Sequence, residues 1–122
     1  MGKIKKEIEI VGSKRSKKIE ALFDSGANVN VVRSIFSDGV SAEDLGFTKY
    51  RSPGKIRLGD NRLKKTEFIE FPKLIIDNVS VEKPEMAVMK GLPCDVIIGA
   101  YLMQRVGINL NLTEEQIEWK ES

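Results

Sequence analysis

Hydrophobic and charged positions alternate from the start of the chain. Ile4, Ile8 and Ile10 are separated by lysines and glutamates, the period-two pattern of a half-exposed strand over residues 4–11. Gly12 to Lys17 reads as a turn, and Lys18 to Phe23 as a second strand that runs into Asp24. Val29, Val31 and Val32 form a β-branched run, which favours strand. Ser41 is an N-cap residue followed by the acids Glu43 and Asp44, predicting a short helix over 41–45. Lys55–Leu58 and Arg62–Phe71 flank Gly59-Asp60-Asn61, a hairpin signal. Further strands are expected at Lys73–Ile76, Val79–Lys83, Glu85–Met89 and Asp95–Ile98. One main short helix near the C-terminus follows over Ala100–Arg105. Ile108–Leu112 and Gln116–Lys120 close the chain as a hairpin around Thr113-Glu114-Glu115. The pattern predicts one mainly β domain over residues 1–122, a small, mostly antiparallel barrel or sandwich without repeats or linkers.

Within this pattern the segment Ala21-Leu22-Phe23-Asp24-Ser25-Gly26-Ala27-Asn28 carries the chemistry. An apolar strand ends on a carboxylate at the start of a turn, where burial without a partner costs several kcal/mol. The segment resembles the active-site loop of aspartic proteases, two apolar residues followed by Asp-Thr/Ser-Gly-Ala. A second segment, Val96-Ile97-Ile98-Gly99 with Leu102 and Gly107 beyond it, matches the C-terminal pattern of retropepsins. These are the single-lobe aspartic proteases of retroviruses and their cellular relatives. The two motifs stand in family order and at family spacing, with a flap-like hairpin at about residues 54–71 between them. The resemblance implies a retropepsin-like closed antiparallel barrel.

It also implies roles. Asp24 is the catalytic carboxylate, and Ser25 and Gly26 support the catalytic loop, Ser25 by bonding to a partner's loop. Ala27 and Asn28 fall where the family binds substrate backbone. Leu22, Val31 and Ile97 fall at side-chain pockets, while Leu58, Gly59, Asp60 and Asn61 belong to the flap that closes over peptide. Ile98 and Gly99, with Ile97, correspond to the segment that braces the loop. The chain departs from retroviral members in two places. Asn28 stands where they often carry Asp, and Ala100 where they often carry Arg, so both members of that ion pair are missing together. The flap tip is polar, with Asp60, Asn61 and Arg62 in place of glycines. Cellular and prokaryotic relatives resemble this pattern better.

Stoichiometry then constrains assembly. Aspartic proteolysis needs two carboxylates that share one proton and hold one water, because adjacent like charges cannot both ionise cheaply. A chain of 122 residues with one Asp-Ser-Gly is too short for two lobes. The second carboxylate must come from another copy, so the expected partners are a second subunit and a peptide or protein substrate.

Composition narrows the chemistry further. There is no histidine, which excludes Ser-His-Asp and Cys-His nucleophiles and His-based zinc sites. No phosphate-cradling glycine loop is present, and the carboxylate reading calls for no metal and no cofactor. A net charge of +2 is too small to argue for nucleic acid or an anionic membrane, and neither is expected as a partner. No apolar run reaches the roughly 20 residues of a membrane span, and the charged N-terminus predicts no signal segment. Cys94 is the single cysteine, so a reducing cytoplasm is the expected setting. Lys14 to Lys18 reads as a solvated loop, Asp38, Glu43 and Asp44 as capping and first-turn charge, and Trp119 as packing on the barrel end or a dimer surface. The competing reading is a non-catalytic retropepsin-fold module that dimerises or binds peptide without hydrolysis.

Overall fold

In the computed structural model, β1 (Lys3–Val11) and β2 (Ser16–Asp24) form an antiparallel pair in which Ile4 faces Phe23 and Ile8 faces Ile19. Residues 2–50, 54–57 and 63–120 are described. The alternation in the sequence becomes a buried face, with Ile4, Ile8, Ile10, Ile19, Ala21 and Phe23 all in the core. Each such aliphatic or aromatic side chain contributes about 1.5–3 kcal/mol of burial free energy.

The chain continues through β3 (Asn30–Arg33), α1 (Ala42–Leu45) and β4 (Thr48–Lys49). Next come β5 (Gly54–Arg57), β6 (Leu63–Thr66), β7 (Phe68–Glu70), β8 (Lys73–Ile76), β9 (Val79–Glu82) and β10 (Glu85–Met89). Last are β11 (Val96–Ile98), α2 (Ala100–Val106), β12 (Ile108–Asn111) and β13 (Gln116–Trp119). Ser41 caps α1 as its sequence position predicts, its hydroxyl accepting from the Glu43 N–H at 3.3 Å. No helix among the described residues is long and apolar enough to cross a membrane.

Nine strands form one sheet in the order β4-β7-β10-β3-β11-β2-β1-β8-β9, while β5–β6 and β12–β13 form separate two-stranded sheets. The mainly β class agrees with the sequence pattern; closure does not. Among the described residues the large sheet is open, because β8 and β9 extend it beyond β1 rather than returning to β4. Both edge strands are short, which limits the unpaired backbone they present. Two pairings are parallel, β11 with β2 and β10 with β3. The single strand expected over Arg62–Phe71 is split at Glu67. Its first part pairs with β5, and its second part leaves to pair with β4 and β10. The hairpin that resembles a flap is therefore shorter than 54–71, and its tip, with Leu58, Gly59, Asp60 and Asn61, lies outside the described residues.

The sheet buries two apolar clusters. The larger includes Ile10, Phe23, Leu74, Ile98 and Leu102. The smaller joins Val31, Ile56, Ala87 and Met89, with Leu92 and Ile97 against it. The β5–β6 hairpin thus docks through Ile56 onto the face of β3 and β10. Parallel pairing also sets Ile98 beside Phe23, so both sequence motifs end at one edge of the fold.

Candidate active site

Asp24 is the last residue of β2, held by the fully buried Phe23 before it. The chain turns at once, with the Ala27 N–H donating to the Asp24 carbonyl at 3.1 Å. The Gly26 N–H donates to Asp24 Oδ1 at 2.9 Å, so the loop fixes one carboxylate oxygen. Asp24 is half-buried rather than enclosed. It lines a cleft of about 680 Å³ together with Gly26, Ala27, Asn28, Val31 and Ile97. Lys55 and Ile56 of β5 line the same cleft, as do Lys3, Met89, Leu92 and Tyr101.

The second motif touches this turn through backbone. The Ala100 N–H donates to the Ala27 carbonyl at 2.7 Å, and the Tyr101 N–H to the Asn28 carbonyl at 3.2 Å. The first turn of α2 therefore satisfies its own free donors by holding the Asp24 loop. Gly99 makes this approach possible. A Cβ there would stand 2.6 Å from the Val29 carbonyl oxygen and 2.8 Å from that of Asn28. Glycine is required for space rather than for an unusual φ.

Asn30 completes the brace. Its Oδ1 accepts from the Gly99 N–H at 2.9 Å, and its Nδ2 donates to the Glu85 carbonyl at 3.0 Å. The side chain thus ties β3 to β10 and to the start of α2 while only 6% exposed. Sequence reasoning passed over Asn30; its signal was a lone carboxamide inside the Val29–Val32 apolar run. Asp95 was also passed over. It accepts from the Ser37 N–H at 2.8 Å and the Ser37 hydroxyl at 2.7 Å, with Arg33 at 3.7 Å, and so anchors the approach to β11.

Other candidate residues fall around the cleft rather than in it. Leu22 is half-buried on β2 and is not among the cleft residues. Ile98 is fully buried in the large cluster. Ser25 is exposed, and both its N–H (3.1 Å) and its hydroxyl (3.3 Å) donate to the Gly2 carbonyl of the same chain. Burial, followed by the charge of Asp95, pushes the Cys94 thiol up, which disfavours a thiolate. A separate cavity of about 510 Å³ lies between α1 and β10, lined by Ile35, Phe47 and Val88, and shares only Met89 with the cleft. It lacks Asp24 and every residue of the loop, so the cleft that Asp24 lines is the better candidate.

Among the described residues lining the cleft, Asp24 is the sole carboxylate, and no group of three or more metal-ligating side chains occurs. The described lining of one chain thus offers one acid, not two, to a bound molecule.

No protein-family profile and no curated protein matches the chain by sequence. Solved structures do match its fold. The retroviral protease-like domain of Ddi1 from Leishmania major aligns over 100% of this chain and 91% of its own, with TM-score 0.64 and 15% identity. A retropepsin-like aspartic protease from Rickettsia conorii aligns over 90% of this chain and 77% of its own, with TM-score 0.60 and 19% identity. The chain has the retropepsin-like fold.

Proposed function

We propose that this protein is an aspartic endopeptidase that works as a homodimer, with water activated between the Asp24 carboxylates of two subunits. The observation that carries the reading is the position of Asp24. It ends a strand of a retropepsin-like fold and lines a cleft roofed by a hairpin. One carboxylate, once protonated, polarises the scissile carbonyl while the other takes a proton from the attacking water. Extended peptide docks as an added strand, and the small apolar cluster receives its side chains. The exposed side chain of Leu112, 53% accessible, offers an apolar surface on which a second subunit could pack. A reducing cytoplasm remains the setting that a lone cysteine fits.

The test combines peptide-library cleavage, with and without a pepstatin-type inhibitor, and sedimentation of the same samples. Asp24→Asn is expected to lower cleavage by at least about 10²–10⁴-fold, with fold and dimer retained. Undiminished cleavage by Asp24→Ala, or a strictly monomeric active species, overturns the reading. A second reading, a non-catalytic peptide-binding or dimerisation module, is favoured by one observation. Gly2 engages within the chain the Ser25 hydroxyl that a dimer grip would use. Peptide binding without any cleavage would select it.

A further inference from the structure

The charges around the cleft are unevenly distributed. Besides Asp24, the charged residues among its described lining are Lys3 and Lys55, both exposed. Lys3 lies directly opposite Asp24 in the β1–β2 register, and Lys55 stands on the roof strand β5. Neither forms an ion pair with a described carboxylate, whereas Lys6, Lys17 and Lys49 each do. The sequence of the roof segment points the same way. Residues 54–66 contain Lys55, Arg57, Arg62, Lys64 and Lys65 against the single acid Asp60. By sequence this segment is net +4 in a chain whose total is only +2. The floor, by contrast, is apolar, built from Val31, Leu92 and Ile97.

We infer that the cleft selects extended peptides with apolar side chains at the reacting bond and carboxylate side chains flanking it. This rests on the endopeptidase reading for cleavage, though not for binding. The apolar floor desolvates the central side chains, while Lys3 and Lys55 attract flanking acids and repel flanking bases. Such exposed charge pairs change affinity by roughly two- to fivefold each, and the effect weakens as salt screens it.

The experiment uses the full chain and short fluorescein-labelled peptides with a Leu-Phe centre, flanked either by glutamates or by lysines. Cleavage is followed at low and high salt. Binding is followed by anisotropy on the Asp24→Asn protein. Both measurements are repeated in Lys3→Glu/Lys55→Glu and in the charge-neutral Lys3→Gln/Lys55→Gln, both exposed sites that leave the core untouched. Glutamate-flanked peptides are expected to be preferred about tenfold at low salt, less at high salt. The Gln variant should flatten this preference and the Glu variant reverse it. Cleavage indifferent to the flanks, or a preference that survives both variants, overturns the inference and leaves proteolysis standing. If nothing is cleaved but glutamate-flanked peptides still bind better, the inference stands and the endopeptidase reading fails. Absence of both cleavage and binding preference removes the inference.

Discussion

The floor and the roof of the cleft are built in opposite ways. The floor, formed by the Asp24 loop, β3, β11 and the start of α2, is cross-linked by backbone hydrogen bonds of 2.7–3.2 Å and by the two-ended Asn30 carboxamide. It leaves no space for a Cβ at residue 99. Among the described residues the roof, β5–β6, has no strand partner besides itself, and it is held by Ile56 in the smaller cluster and by the Thr66 hydroxyl, which donates to the Val88 carbonyl at 2.6 Å. On the proposed reading the contrast has a use: a catalytic carboxylate needs fixed geometry, which cross-linking supplies, while a segment that admits peptide must open at low cost. Local stability should therefore fall steeply from the floor to the roof.

The comparison is broken most directly at Asn30. Replacing it by Ala leaves the buried Gly99 N–H without its partner and removes the part-buried bond to the Glu85 carbonyl. A loss of about 1–3 kcal/mol in urea unfolding is expected, the cost of one orphaned buried group. A loss below about 0.5 kcal/mol, the level of an ordinary surface change, would mean that the brace contributes little.

Ile56→Ala sharpens the contrast from the other side. An ordinary core Ile→Ala change costs about 2–5 kcal/mol. Here the loss is capped by the free energy that holds the hairpin down, so a global cost of about 1 kcal/mol or less is expected. Peptide KM should rise several-fold, and amide exchange should quicken in β5 and β6 but not in β11. A full core-sized loss of stability would show that the roof folds as one unit with the floor.

The smallest effect is expected far from the cleft, where Asp77 links three elements. Its carboxylate accepts from Lys6 Nζ at 2.6 Å and from Trp119 Nε1 at 3.0 Å. Burial pushes the Asp77 carboxyl up, but the hydrogen bonds from Lys6 and Trp119 and the Lys6 charge outweigh it and leave it below its usual value. A carboxyl lowered on folding adds stability above its unfolded pKa and loses it as pH falls through the folded one. Asp77→Asn should therefore cost less than about 1 kcal/mol at neutral pH, as exposed ion pairs do. In strongly acidic solution the variant and the parent should converge, with Trp119 fluorescence reporting the change. Asn suits the test because residue 77 has φ of +50°, which Asn tolerates.

Much of the fold was legible because local patterns repeat over short distances. Glu85–Met89 and Lys73–Ile76 are strands at the bounds their alternation and β-branched residues imply. Ser41 behaves as the cap its position suggests. The two-residue strand Thr48–Lys49 was not legible, since nothing in its sequence marks it until β7 pairs with it. The split at Glu67 is similar: local propensity runs on, but two sheets compete for the halves. Asp24, Ala27, Asn28, Val31 and Ile97 were named from the resemblance, and all five line one cleft. Leu22 was placed there by motif alone, yet in this chain it does not line the cleft. Lys3 carried no signal as a cleft residue, because its proximity to Asp24 exists only in the β1–β2 register.

The linear chain by itself determined strand periodicity, the carboxylate at a strand end, the lack of histidine and the glycines that permit close approach. These depend on the chemistry of neighbours within a few bonds. Tertiary structure alone decided that the large sheet is open among the described residues, that β11 enters between β2 and β3, and that Asn30 ties the second motif to β3 and β10. Those outcomes depend on pairing and packing between segments dozens of residues apart, whose energies no local pattern records.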